Sequence, residues 1–255
     1  MLEYEVRDHV AEILFNNPPV NGITEEFLDL LMASLTRAGN DPQVRAIIIG
    51  SAIPGRFCGG LDLPGFLKSS PSQVHAIVNK LYLQLHELQA RLPKPSIAAI
   101  TGAARGGGMS IAITCDMIVA ADNASFGYPE LEVGLLPSIH FTHLHRIAGR
   151  FRAFDLLFTG RPFDVREAME IGLVCRSAPE AQVLDEARKL ARVFASKSPE
   201  LMRLGKAAFN RAIDNGYSVA AAGAVDTVST VFGTDDCKEG LAAFAQKRKP
   251  VWKMP

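Results

Sequence analysis

The sequence has few cysteines and no pattern among them. The four thiols, at Cys58, Cys115, Cys175 and Cys237, are widely separated, and no two form a C-x-x-C pair. Disulfide frameworks and thiolate metal sites need closer, paired spacings. We therefore expect reduced thiols in a cytoplasmic protein. Cys58 precedes a glycine pair, but no histidine lies near it in the sequence, so the pattern does not favour a catalytic cysteine.

The chain also lacks net charge and long apolar runs. Its 27 basic and 27 acidic residues cancel, which leaves no bulk attraction for nucleic acid or for an anionic membrane surface. The longest apolar stretch, SIAITCDMIVAA, is interrupted by Asp116 and falls short of the roughly 20 residues that a membrane helix needs. The N-terminal segment MLEYEVRDHV has acidic residues where an export signal has basic ones. We expect a folded protein that binds neither nucleic acid nor membrane.

What the sequence does contain is an alternation of strand and helix patterns. YEVRDHVAEILF reads as two strands joined near Asp8 and His9, and RAIIIGS, SIAAI and MIVAA read as further strands. A helix is predicted from an N-cap at Thr24 to a stop at Gly39-Asn40. After about residue 180, alanine-rich helical periodicity replaces the strand patterns. Alternation alone is typical of a doubly wound α/β sheet.

Two glycine clusters each follow a predicted strand. RFCGGLDL contains Gly59 and Gly60, and ARGGGMS contains the triplet that begins at Gly106. Glycine allows another group to approach the main chain, so either cluster could be a tight turn or a site where backbone amides bind an oxygen. A phosphate-binding loop is disfavoured, because no Lys-Ser or Lys-Thr follows the glycines and G-x-G-x-x-G is absent. The two clusters together favour an oxyanion hole built from two amides.

These clusters belong to longer motifs that cover nearly the whole chain. NNPPVNGIT, PGRFCGGLDL, KPSIAAITGAARGGGMSIAITCDMIVAADNASFG and TDDCKEGLAAFAQKRKP resemble the crotonase superfamily of enoyl-CoA hydratases and isomerases. The resemblance implies an α/β fold, a crotonase-type spiral of ββα repeats, in place of the doubly wound sheet. It also implies a core over residues 1–195, a helical C-terminal oligomerisation region over residues 196–255, and a homotrimer or a hexamer made of two trimers.

The resemblance further implies an acyl-CoA thioester as substrate, with no metal and no cofactor beyond the coenzyme A of that substrate. The backbone N–H groups of Leu61 and Gly107 are expected to form the oxyanion hole. Lys247, in the C-terminal QKRK, is expected to approach the phosphates of coenzyme A, although a solvated helix end explains it as well. The expected substrate-binding residues are Gly59, Gly60, Leu63, Gly106, Pro137 and Lys247.

The resemblance also identifies the candidate acids. Hydratases of the superfamily have two glutamates, and Ser110 occupies the first of these positions while Glu130 occupies the second. Adding water needs two proton-transfer groups, whereas moving a double bond from the 3 to the 2 position needs one base. The leading prediction is therefore an enoyl-CoA isomerase in which Glu130 moves a proton from C2 to C4. NNPPVN and IPGRFCGGLDL also resemble the 3,2-enoyl-CoA isomerases most closely.

Other functions remain open at this point. A hydratase, a hydratase-lyase or an acyl-CoA hydrolase could use Glu130 with Ser110 or with His140, and a relative that binds acyl-CoA or RNA without turnover is a further possibility. In LLPSIHFTHLHRIAG, the bulk of residues 138–141 is expected to reshape the acyl pocket. His140 and His143 share a helical face, but no carboxylate joins them, so hydrogen-bonded histidines are favoured over a metal site.

Overall fold

The computed structural model describes residues 1–66, 70–214 and 234–253. Within these ranges the chain forms ten strands and eleven α-helices. The strands are β1 (Leu2–Arg7), β2 (Val10–Phe15), β3 (Ala46–Ser51), β4 (Arg56–Cys58), β5 (Ser96–Ile100), β6 (Ala103–Arg105), β7 (Met117–Ala121), β8 (Ser125–Gly127), β9 (Phe163–Asp164) and β10 (Arg176–Ala178). The helices are α1 (Glu25–Asn40), α2 (Leu63–Phe66), α3 (Pro71–Asn79), α4 (Leu85–Arg91), α5 (Gly107–Ala112), α6 (His140–Ala148), α7 (Arg150–Thr159), α8 (Val165–Glu170), α9 (Val183–Ala195), α10 (Pro199–Asp214) and α11 (Asp235–Ala245). None of the helices in this part of the chain is long and apolar enough to cross a bilayer.

The strands form two sheets. Six lie in the order β1-β2-β3-β5-β7-β10, and all neighbours are parallel except β1 and β2. A smaller sheet has the order β4-β6-β8-β9. Along the chain, β5 in the large sheet leads to β6 in the small sheet and then to α5, which is one ββα unit. The predicted spiral of ββα repeats is confirmed, and the doubly wound sheet that alternation suggests is wrong.

The core is explained by the apolar pattern of the sequence. All six residues of β3 are buried, as a strand covered on both faces requires. The inner face of α1 is formed by buried apolar residues, among them Phe27, Leu31 and Leu35. Thr24 caps this helix, because its side chain accepts a hydrogen bond from the backbone N–H of Phe27 at 3.1 Å. The predicted cap and the predicted stop of this helix are both confirmed.

The small sheet positions three loops. The strand β4 ends at Cys58, β6 ends at Arg105 and β8 ends at Gly127. These strands are parallel neighbours, so their carboxyl ends lie along the same edge. The loops that follow them contain the first glycine cluster, the glycine triplet and Glu130, and they therefore leave the sheet side by side.

The C-terminal helices pack on this core through polar contacts. Lys206 of α10 donates to the carboxylate of Asp116 at 2.7 Å, and the same carboxylate accepts from the backbone N–H of Ser96 at 2.7 Å. The side chain of Ser198 donates to Asp236, the second residue of α11. Asp116 thus has a structural role, as a tie between β5 and α10. The division of the chain at residue 195 stays a prediction.

Candidate active site

The two glycine clusters lie in direct backbone contact. Gly60 has φ +95°, and a Cβ atom at this position would lie 3.0 Å from the carbonyl oxygen of Arg105 and 3.3 Å from the nitrogen of Gly107. A Cβ atom on Gly107 would lie 3.5 Å from the nitrogen of Leu61. Side chains are excluded here because the second loop fills the space that they would need. The amides of Leu61 and Gly107 are therefore close neighbours.

Both amides are free to bind a ligand oxygen. Ile23 and Leu61 form a parallel bridge, in which the N–H of Ile23 donates to the carbonyl of Gly60 at 2.8 Å and the N–H of Asp62 donates to Ile23 at 3.1 Å. The N–H of Leu61 consequently points away from Ile23. Gly107 is the first residue of α5, so its N–H has no acceptor within the helix. In the described residues neither amide donates to a protein acceptor.

The third glycine of the triplet sets the distance between α5 and β4. A Cβ atom on Gly108 would overlap the carbonyl group and the Cβ atom of Cys58. We expect Gly108→Ala to lower the free energy of unfolding by roughly 1–3 kcal/mol, because a methyl group must be forced between two backbones. Thermal or urea unfolding measures this change. The control is Gly205→Ala, since Gly205 lies in α10 with no atom within 4 Å of an added Cβ; equal stability of the two variants would contradict the packing described here.

Glu130 lies against the triplet from the third loop. It belongs to a 3₁₀ segment, Pro129–Val133, and its Oε1 atom is 3.2 Å from the position that a Cβ on Gly106 would take. Its Oε2 atom is buried and has no hydrogen-bond partner in the described part of the chain. Burial raises the pKa of this carboxyl above its usual value. Burial raises the pKa of the Tyr82 and Tyr128 phenols, and the nearby charge of Glu130 raises both pKa values further.

Ser110, one helical turn after Gly106, begins a chain of hydrogen-bonding groups. Ser110 is 2% exposed, and its Oγ atom is 3.3 Å from Nε2 of His140, which is fully buried. Nδ1 of His140 is 3.2 Å from Nε2 of His143. Burial, and then the neighbouring His143, lower the pKa of His140 well below its usual value, and burial lowers the pKa of His143 to about 4. Both imidazoles are therefore neutral near pH 7.

The remaining predicted substrate-binding residues lie in the loops around the first glycine cluster, at the start of α6 and beyond α11. The N–H of Gly59 donates to the carbonyl of Val20 at 2.8 Å and holds the first loop in place. The carbonyl of Pro137 accepts from the N–H of His140 at 2.9 Å, at the start of α6. Leu63 is exposed at the start of α2. Lys247 is exposed just beyond α11, and its contact with the phosphates of coenzyme A stays a prediction.

One expectation about side chains near the site needs correction. Ser138 and Phe141 are exposed, and the ring of Phe141 stacks on Phe158 of α7 with centroids 5.6 Å apart. Of the residues 138–141 expected to fill the acyl pocket, the fully buried side chain is that of His140. The reason is the helical period of α6, which turns neighbouring residues to different faces.

Cys58 and Arg105 have structural contacts. The Cys58 thiol is buried, donates to the carbonyl of Asn21 at 3.0 Å, and has a pKa raised to about 12 by burial, so it is unsuited to act as a nucleophile. The guanidinium of Arg105 donates to the carbonyl and the hydroxyl of Ser125 on the neighbouring strand β8.

Two residues of this centre, Tyr82 and Tyr128, are not predicted from the sequence. The contact between His140 and His143 agrees with the expectation that these two residues share a helical face and form hydrogen bonds. Tyr128 packs its ring on His140 with centroids 4.5 Å apart, and its buried hydroxyl has no partner in the described residues. Tyr82 lies in a π-helical segment, Lys80–Gln84, whose Leu81 side chain packs beside Gly107. The sequence signal that indicates Tyr128 is its place two residues before Glu130, in the order Tyr-Pro-Glu.

Comparison with known proteins agrees with this geometry. Residues 5–255 match the family described as "Enoyl-CoA hydratase/isomerase". The chain is 37% identical over 251 residues to "Probable enoyl-CoA hydratase 2, mitochondrial" of Arabidopsis thaliana, which covers 95% of this chain and 81% of that protein. It is 36% identical over 242 residues to "Methylglutaconyl-CoA hydratase, mitochondrial" of Rattus norvegicus, which covers 91% of this chain and 75% of that protein. The crystal structure of an enoyl-CoA hydratase from Bacillus anthracis superposes with a TM-score of 0.93 at 32% identity, covering 100% of this chain and 99% of that one.

The family acts on acyl-CoA thioesters, whose carbonyl oxygen suits a pair of free backbone amides. The ββα spiral, the paired glycine loops and the match along nearly the full length together identify the family. This protein is an enzyme of the enoyl-CoA hydratase/isomerase family, in the crotonase superfamily.

Proposed function

We propose that this enzyme converts a 3-enoyl-CoA into the conjugated 2-enoyl-CoA. The position of Glu130 is the observation that carries the proposal. Its carboxylate lies against Gly106, next to the free amide of Gly107, and its Oε2 atom is buried without a hydrogen-bond partner in the described residues. A base beside an oxyanion hole suits the removal of a proton next to a thioester carbonyl.

The reaction follows from these positions. The N–H groups of Leu61 and Gly107 donate hydrogen bonds to the thioester oxygen, so the proton on C2 becomes more acidic. Glu130 removes that proton, and its basicity is increased because burial disfavours the charged carboxylate. The dienolate keeps its negative charge on the oxygen between the two amides until a proton is returned at C4. The product is conjugated with the thioester.

The wild-type reaction tests this proposal directly. A 3-enoyl-CoA is supplied in water enriched in heavy oxygen, and the product is followed by the absorbance of the conjugated thioester and by its mass. We expect a 2-enoyl-CoA that contains no solvent oxygen. If none of a series of 3-enoyl-CoA substrates of different chain length gives the conjugated product or the labelled 3-hydroxyacyl-CoA that hydration of that product would form, the proposal is wrong.

Hydration of a 2-enoyl-CoA is a second candidate. The specific observation in its favour is the contact of Ser110 with His140, which supplies a second proton-transfer group at the position of the missing glutamate. The names of the relatives, which include hydratases, agree with it. In this case a 2-enoyl-CoA incubated in heavy-oxygen water gives a labelled 3-hydroxyacyl-CoA, and the rate of that reaction compared with isomerisation decides between the two.

The pH dependence gives a further prediction. A base acts in its deprotonated form, so activity is present above the pKa of Glu130 and is lost as the pH falls through it. Because burial raises this pKa above the ordinary glutamate value of 4.5, we expect the acid limb of kcat/KM for a 3-enoyl-CoA to lie above pH 4.5. A profile of initial rates in buffers of constant ionic strength measures the limb. A limb at or below pH 4.5 would contradict the burial of this base.

A further inference from the structure

We propose that Ser110, His140 and His143 form a proton relay that carries the second proton of the reaction between the acyl pocket and solvent. The inference rests on the proposed isomerisation, since it identifies the group that acts at C4 while Glu130 acts at C2. The relay takes the place of the second carboxylate that the two-glutamate hydratases have.

The contacts form a continuous path from the pocket to the surface. Ser110 Oγ is 3.3 Å from His140, and His140 is 3.2 Å from His143, whose side chain is half-buried. The ring of Tyr128 packs on the imidazole of His140, and the carbonyl of Pro137 accepts from the backbone N–H of His140 at the start of α6. The path therefore has a buried inner end at Ser110 and an outer end that water can reach.

The two contacts can run in either direction while both imidazoles stay neutral. In one arrangement, Ser110 donates to Nε2 of His140, and Nδ1 of His140 donates to Nε2 of His143. In the other, Nε2 of His143 donates to Nδ1 of His140, and Nε2 of His140 donates to Ser110. Both contacts are kept in the two arrangements, as a relay requires.

The distance from Gly107 to Ser110 along α5 matches the distance from the thioester carbonyl to C4 of the acyl chain. Ser110 lies three residues after Gly107 on α5, which corresponds to about 4.5 Å along the helix axis. The thioester oxygen binds at Gly107, and Glu130 lies beside Gly106. An acyl chain that extends along α5 from this carbonyl brings a carbon about three bonds away, which is C4, next to Ser110.

The proton balance closes without another reactant. Glu130 forms an O–H bond with the C2 proton, and the electrons of the C–H bond enter the dienolate. At C4 a C–H bond forms as the O–H bond of Ser110 breaks. Ser110 takes a proton from Nε2 of His140, His140 takes one at Nδ1 from Nε2 of neutral His143, and His143 takes one at Nδ1 from solvent. Glu130 then releases its proton to solvent.

Hydrogen exchange at C4 tests the relay separately from the isomerisation. A 2-enoyl-CoA is incubated in deuterium oxide, and the deuterium at C4 is measured by mass spectrometry and NMR. If the relay serves C4, Ser110→Ala lowers the C4 exchange rate roughly 10²-fold, whereas Glu132→Gln, which removes an exposed carboxylate, retains it. If Glu130 serves both carbons, Ser110→Ala retains the C4 exchange rate and Glu130→Gln loses it, and that result overturns the relay. A wild-type enzyme that exchanges C4 but does not convert 3-enoyl-CoA would refute the proposed function and leave the relay standing.

The outer end has its own matched pair of variants. His143→Gln keeps a hydrogen-bonding group beside His140 but cannot bind the proton, so we expect C4 exchange to fall roughly 10²-fold with KM little changed. His145→Gln is the control, because His145 lies on the same helix and contacts the carbonyl of Phe141. Nitrogen NMR of the histidines verifies that each variant keeps the neutral His140. Equal exchange in the two variants overturns His143 as the outer end.

Discussion

Replacing Glu130 by glutamine is expected to lower kcat for double-bond migration by about 10³-fold. The amide has the shape of the carboxylic acid but cannot accept the C2 proton. The affinity for acyl-CoA should change little, because the thioester is held by the backbone amides of Leu61 and Gly107 and not by this side chain. The loss therefore appears in kcat, with a Kd for a saturated acyl-CoA within about threefold of the wild-type value.

Calorimetric titration and initial rates on the same preparations measure both quantities. The matched control is Glu132→Gln, which removes a carboxylate from the same 3₁₀ segment, where Glu132 is exposed. We expect this control to retain wild-type rates. Turnover by the Glu130 variant at more than a tenth of the wild-type rate would show that another group removes the C2 proton.

Removing the N–H group of Leu61 is expected to lower kcat by about 10²- to 10³-fold. An ester in place of this one peptide bond, introduced with the α-hydroxy acid analogue of leucine, keeps the side chain and the loop geometry. It deletes one of the two donors to the oxygen on which negative charge develops. The effect should be larger on kcat than on KM, because the oxygen is more negative in the transition state than in the substrate.

An ester at Asp62 controls for general damage to the loop. The N–H of Asp62 donates to the carbonyl of Ile23 at 3.1 Å, so its loss should cost about 1 kcal/mol of stability. Turnover at a temperature where this variant is folded should remain near the wild-type rate. If the two esters reduce kcat equally, the loss at Leu61 comes from general damage to the loop, and its N–H group has no specific role in stabilising the oxyanion.

The long elements of the fold were predictable from the sequence, whereas the second sheet was not. The strands β3, β5 and β7 are runs of five or six mostly apolar residues, and α1 has a regular apolar face with a cap, so each has a clear pattern. The strands β4, β6 and β8 have three residues each, which is too short for a period to show. Alternation alone therefore predicted one doubly wound sheet, and the family motifs were needed to predict the spiral.

The centre of the site was predicted only in part, for a similar reason. The glycine loops and Glu130 are recognisable because their residue types are unusual and stand in ordered motifs. The contact between Ser110 and His140 depends on how α5 and α6 pack, and a pattern in the sequence does not reveal such a contact between residues thirty positions apart. Phe141 was expected in the pocket because it is large, but the helical turn of α6 directs it to the surface.

The backbone contact between Gly60 and Arg105 and the histidines of α6 belong to separate elements. The two amides proposed to bind the thioester are therefore positioned by main chain, whereas the imidazoles proposed to carry a proton are side chains on another helix. Substitutions on α6 can thus change which product forms after deprotonation, while the backbone that positions the two amides stays the same.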